Sequence, residues 1–172
     1  MDPPSQPSSF RSTDDMRTYL RQLHSTLKRM GQVEQDADGD KRARIRRLSD
    51  LTPVCRTIIA KKFVGHRSQE VRVLVVCCLV DILRVCAPDT PFGERDLETV
   101  FKLVNRTIRD GLVTSMDGTT YKRTVHMLKV LSSFHIVCCA LDIDDGHVVL
   151  HDFFASCFET CLLYTSPSPR DS

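Results

Sequence analysis

One stretch decides what this chain can fold into: residues 69–86 contain no glycine or proline and are apolar almost all the way round. Val71, Leu74, Val75, Cys78, Leu79, Ile82, Leu83 and Cys86 recur at helical spacing, and Val73, Val76, Cys77, Val80 and Val85 widen that face. The β-branched segment 71–76 would also suit a strand, but a run this long without a turn signal favours a helix. A helix with so broad an apolar surround must be covered on most sides, so it is expected at the centre of the fold. Ser68 stands before it as a cap, and Pro88 and Pro91 stop it.

The flanking sequence supplies the covering helices. Ser12-Thr13-Asp14-Asp15 offers a cap and acids for a first turn, after which Met16, Leu20, Leu23, Leu27 and Met30 form one stripe ending near Gly31. Ala43, Ile45, Leu48 and Leu51 predict a second helix with 36–40 as its polar lead-in. Thr52-Pro53 reads as the cap and first-turn proline of a third, which runs through Cys55, Ile58, Ile59 and Phe63 to Gly65. The central stretch is the fourth. A fifth begins near Glu94 and uses Leu97, Val100, Phe101, Val104 and Ile108. A sixth spans 120–141 with Tyr121, Leu128, Leu131, Phe134 and Val137 inside, and a seventh spans 145–159 and buries Val148, Phe153, Phe154, Cys157 and Phe158. About seven helices joined by short breaks predict an all-α fold, a HEAT-type helical-repeat solenoid fragment with irregular repeats of about 40 residues. A compact helical bundle is the alternative.

Composition narrows the class further. A chain of 172 residues suffices for one domain, and 41% hydrophobic with 27% charged residues describes a globular chain. It has no apolar run of 18 residues, so no membrane partner is expected. Residues 1–13 open on a Pro/Ser-rich segment read as a disordered tail without a secretory signal, and the eight cysteines are expected as buried thiols. Beyond Thr160 the string Cys161-Leu162-Leu163-Tyr164-Thr165-Ser166-Pro167-Ser168-Pro169-Arg170-Asp171 looks like the conceptual translation of a sequencing-library adapter. Residues 161–172 are therefore expected not to be native, and 14–160 to be the N-terminal fragment of a longer array; a natural Ser/Pro-rich tail is the alternative.

Catalytic and metal signals fail on spacing. Asp36-Ala37-Asp38-Gly39-Asp40 opens like a calcium loop, but Lys41 occupies the glycine position and Arg47 the closing acidic one. His147 and His151 share a helical face without the glutamate of a zinc protease or enough further ligands. The pairs Cys77-Cys78 and Cys138-Cys139 lack zinc-knuckle spacing and read as small core residues. Ser25 and Lys28 form a chance Ser-x-x-Lys, since Leu27 belongs to the core stripe. No enzyme, cofactor or metal site is expected.

Charge is more informative. Residues 41–72 hold ten basic side chains against two acidic ones, while the rest of the chain is net acidic. Lys41, Arg42, Arg44, Arg46 and Arg47 are a candidate patch for nucleic acid, a phosphorylated metabolite or an import receptor; a solvated helix face is the plainer reading. Aromatics are absent from the cluster, which argues against base stacking and leaves contact with a phosphate backbone.

The stretch 65–92 carries a resemblance. Its Val71-Arg72, Cys77-Cys78-Leu79, Asp81-Ile82-Leu83-Arg84 and Ala87-Pro88-Asp89-Thr90-Pro91-Phe92 resemble the N-terminal HEAT repeats of the cohesin-associated regulator of sister chromatid cohesion, and the likeness extends over roughly 14–160. Thr90 stands where the family usually has alanine. The resemblance implies a non-enzymatic nuclear, chromatin-associated scaffold that docks on the cohesin complex. It also implies that the loop Ala87, Pro88, Asp89, Thr90 and Pro91 receives short peptides of the wings-apart-like releasing factor and of sororin, its antagonist. The kleisin-binding groove of the family is implied to lie farther along the array. Two prolines would pre-set the loop, and Asp89 would offer a carboxylate to a basic group. A HEAT-like adaptor in transport or trafficking that uses the basic patch is the alternative function.

Overall fold

The computed structural model describes residues 10–31, 38–113, 118–134 and 136–165, with the side chains of 38–40 and 161–165 outside the description. Seven α-helices and one 3₁₀ helix make up these residues, and no strand occurs among them. They are α1 (Thr13–Arg29), α2 (Asp38–Ile58), α3 (Lys61–Val64), α4 (Gln69–Cys86), α5 (Glu94–Leu112), α6 (Thr119–Ser133), the 3₁₀ helix Ile136–Asp142 and α7 (Gly146–Thr165). No single described helix is long and apolar enough to cross a membrane.

Local chemistry sets α1 as the sequence predicts. Ser12 Oγ accepts from Asp15 N–H at 3.1 Å and Asp15 Oδ2 accepts from Ser12 N–H at 3.0 Å, a reciprocal capping box. Tyr19, Leu20, Leu23 and Leu27 are buried against α4, with Met16 and Met30 half-buried at the ends of the stripe. From Val73 to Cys86 every residue of α4 is buried, because α1, α2, α3, α5 and α6 all pack on it. Its first turn is tied down at Glu70, which meets Arg17 at 3.1 Å and Arg21 at 2.6 Å on α1, and Arg123 at 3.4 Å on α6. The hydrogen bond from Arg21 holds the Glu70 carboxyl below its ordinary range.

Three expectations about the helices need correction. Thr52-Pro53 does not open a helix, since α2 runs through both residues to Ile58. Thr52 Oγ1 donates back to Leu48 O at 2.6 Å, and the exposed side of the helix tolerates the proline without its amide donor. The first half of α2 is also largely solvated: Ala43 is exposed and Ile45 is 57% exposed, whereas Leu51, Val54, Cys55 and Ile58 face the core. The sixth helix stops at Ser133 and not at 141, where two serines and then β-branched Ile136-Val137 favour other conformations. Phe134 is accordingly exposed, and the 3₁₀ helix buries Ile136 and Ala140.

In α7 the buried stripe is Val149, Phe153, Ser156 and Thr160, so Val148, Phe154 and Phe158 face solvent. A helix apolar on several faces does not reveal its inner one from periodicity. The helix also continues to Thr165, six residues past the end at 159 that the sequence predicts. Leu128, Leu131, Val137, Leu141, Leu150 and Phe154 line an apolar groove of about 560 Å³ between α6, the 3₁₀ helix and α7.

Two glycines permit close approach. A Cβ on Gly111 of α5 would stand 2.2 Å from Thr124 Oγ1 on α6, and one on Gly146 would stand 2.0 Å from Ala140 O. Thr124 is fully buried and cannot swing away. Gly111→Ala is expected to cost about 1–3 kcal/mol by forcing α5 and α6 apart. A urea titration checks it, and a neutral or stabilising alanine would show that the helices part freely there.

Candidate functional site

The candidate loop follows directly from the end of α4. Ala87 is the C-cap, its N–H donating to Leu83 O at 2.9 Å, and the Ala87–Pro88 peptide is cis. Thr90 Oγ1 then accepts from Phe92 N–H at 3.2 Å, and the buried Phe92 ring anchors the far side. Pro88 is exposed, while Ala87, Asp89, Thr90 and Pro91 are half-buried. The sequence-predicted loop is thus a short exposed surface held at both ends by core residues.

Asp89 does not face solvent alone. Arg44 of α2 reaches across and donates from Nε to Asp89 Oδ2 at 2.8 Å, with a second, shorter contact from its terminal nitrogen. Arg47, one turn further on, donates to Gly31 O, and Arg46 lies 3.9 Å from Asp50. Lys41 and Arg42 are exposed. The structure therefore joins two features that appear separate in sequence: part of the basic patch is spent on the loop and on the end of α1. Burial pushes the Cys86 thiol up to about 12, with the Arg47 charge opposing. Cations near the C-terminal end of α4 complement its dipole. They also give Asp89 a structural partner, which sequence reasoning had missed because Arg44 and Asp89 stand 45 residues apart.

A second constellation was also missed. Asp81, 1% exposed, takes Arg84 Nε on Oδ1 at 2.9 Å, and its Oδ2 lies 3.2 Å from both His24 Nε2 and His126 Nε2. Arg84 goes on to donate to Met30 O at 2.8 Å and Leu27 O at 2.6 Å, covering carbonyls at the C-terminal end of α1. Burial alone would raise the Asp81 pKa, but the surrounding imidazoles and Arg84 hold it well below the usual carboxylate range. The signal was an acid and an arginine three residues apart inside an otherwise apolar helix, since such charges are buried only when paired.

The remaining candidates stay apart. His147 and His151 are exposed, and His151 pairs with neighbouring Asp152 at 3.6 Å. The residues at 36 and 37 and the side chains at 38 and 40 of the rejected calcium loop lie outside the described residues. Cys77 and Cys78 are buried as expected, and burial raises the Cys77 thiol to about 12. Cys138 is exposed, whereas Cys139 is half-buried and packs against the core, so only one of that pair is the core residue expected.

Comparison with known proteins agrees with this architecture. The family described as sister chromatid cohesion protein PDS5 matches residues 14–166. The chain is 26% identical over 148 residues to sister chromatid cohesion protein pds5 of Schizosaccharomyces pombe, covering 86% of this chain and 11% of that protein. It is 28% identical over 143 residues to PDS5 of Saccharomyces cerevisiae, covering 83% and 10%. With PDS5 homolog A of Homo sapiens it shares 22% over 148 residues, covering 86% and 10%. The fold matches a chain in the solved structure of the Pds5–Scc1 complex with a TM-score of 0.71 at 22% identity, over 88% of this chain and 21% of that one. The chain thus spans only about a tenth of the curated relatives just named. With the family match extending from the first helix to the last, and a helical-repeat fold to go with it, this chain belongs to the PDS5 family of sister chromatid cohesion proteins and represents its N-terminal HEAT-repeat region.

Proposed function

We propose that the protein is a non-enzymatic regulator of cohesin in sister chromatid cohesion, acting at chromosomes in the nucleus. In this reading the loop formed by Ala87, Pro88, Asp89, Thr90 and Pro91 docks short peptides of cohesin release and protection factors, the wings-apart-like and sororin types. Family membership supports the cohesin role over a transport adaptor. The observation that carries the loop reading is its build: an exposed Pro88 and a half-buried Pro91 flank a half-buried carboxylate, and the loop is fixed between Cys86 and Phe92 in the core. Rigid presentation lowers the ordering cost of binding. Arg44 refines the mechanism. A basic peptide group reaches Asp89 by exchanging with Arg44, so the loop accepts a cation without first desolvating a lone charge.

Titration of a wings-apart-like peptide tests this. Asp89→Asn is expected to weaken binding at least about tenfold, and Arg44→Ala to tighten it by removing the competitor. Both variants should melt close to wild type, since a half-buried surface pair of this kind contributes about 0–1 kcal/mol. Equal affinity across all three proteins would remove the loop from the binding surface.

A further inference from the structure

Three helices that are distant in sequence converge on one point: His24 from α1, Asp81 from α4 and His126 from α6. Their ligand atoms, two imidazole Nε2 and one carboxylate oxygen, all lie within 4.8 Å of one another. The two edges from Asp81 Oδ2 to the imidazoles are both 3.2 Å. Bonds of about 2.0–2.1 Å around a tetrahedral zinc ion put neighbouring ligands about 3.3 Å apart, so both edges already have the required length. His126 Nε2 hydrogen-bonds to Oδ2, but His24 Nε2, in a residue only 8% exposed, faces the same oxygen at 3.2 Å without the alignment of a hydrogen bond. A buried nitrogen without a well-aligned hydrogen bond is costly, and such groups call for an explanation.

The surroundings supply what a metal site needs beyond its ligands. Arg84 holds the other Asp81 oxygen at 2.9 Å and is itself fixed to Met30 O and Leu27 O. That is the outer-shell arrangement which orients a ligating carboxylate and leaves one oxygen toward the ion. The His126 side chain is one quarter exposed, which opens the site to solvent on the α6 side. Two imidazoles and one carboxylate suit Zn²⁺, whereas calcium and magnesium select oxygen-only sets. We propose that His24, Asp81 and His126 form a binding site for one Zn²⁺ ion, completed by water, that pins α1, α4 and α6 together. The ion takes one nitrogen lone pair from each imidazole and one oxygen lone pair from Asp81 Oδ2.

Chelator-stripped protein titrated with Zn²⁺ alone should bind one ion per chain and melt several degrees higher at saturating metal. Co²⁺ in its place should give the visible absorption of tetrahedral nitrogen–oxygen coordination. His126→Ala and His24→Phe should each abolish stoichiometric binding, while the His147→Ala/His151→Ala double variant should keep it. Wild-type protein that binds less than stoichiometric metal would overturn the site and leave a hydrogen-bonded trio. A sulfur-ligated Co²⁺ spectrum would also overturn it, by moving the metal to the cysteines, and needs no variant to fold.

Discussion

Arg84→Met is expected to destabilise the fold by about 3–5 kcal/mol, measured by urea unfolding in the presence of a chelator. Methionine keeps most of the aliphatic stem, so the loss is in charge and hydrogen bonding and not in volume. Asp81 would remain at 1% exposure without the guanidinium that meets its Oδ1. The carbonyls of Leu27 and Met30 would lose the Arg84 donors at the same time, loosening the end of α1 against α4. Removing one partner of a buried pair costs far more than replacing both. The double variant Asp81→Asn/Arg84→Met should therefore recover part of the loss, giving a coupling energy that single variants cannot reveal. A loss below about 1 kcal/mol in Arg84→Met would show that the two histidines suffice to compensate Asp81.

The same residue shows where sequence reasoning reached and where it stopped. That 69–86 is a helix buried on most sides was legible, because no other arrangement covers so many apolar positions, and α4 is the hub of the packing. The capping of α1 was legible for the same local reason, since Ser12 and Asp15 lie within one turn. Asp81 and Arg84 stood in plain view, yet their partners on α1 and α6 are 45 to 57 residues away, and no periodicity connects them. Arg44 and Asp89 are a similar case: each looked like half of a separate surface feature until the fold placed one on the other.

Errors of register came from segments whose local signals conflict. At Thr52-Pro53 the cap-like dipeptide was outweighed by the core contacts of Leu51, Val54, Cys55 and Ile58, which continue the helix through the proline. In α7 apolar residues fall on several faces, and only contact with α5 and the 3₁₀ helix decides that Val149 and Phe153 turn inward.

Leu79→Ala tests the centre of the fold, and the expected loss is about 2–5 kcal/mol, toward the upper end of that range. The removed atoms would leave a cavity in α4, which α1, α2, α5 and α6 contact and which carries Leu79 at 0% exposure. A helix held on so many sides cannot shift to close a gap, because movement toward one neighbour opens space against another. Helix propensity works in the opposite direction, alanine being slightly the better helix former, so the measured loss slightly understates the packing term. Leu79→Met, which conserves volume, should cost less than about 1.5 kcal/mol. Phe158→Ala supplies the contrast: periodicity placed Phe158 in the core, but it is 66% exposed and its removal should change stability by no more than about 0.5 kcal/mol. If Phe158→Ala proved as damaging as Leu79→Ala, the inward face of α7 would have to be reassigned.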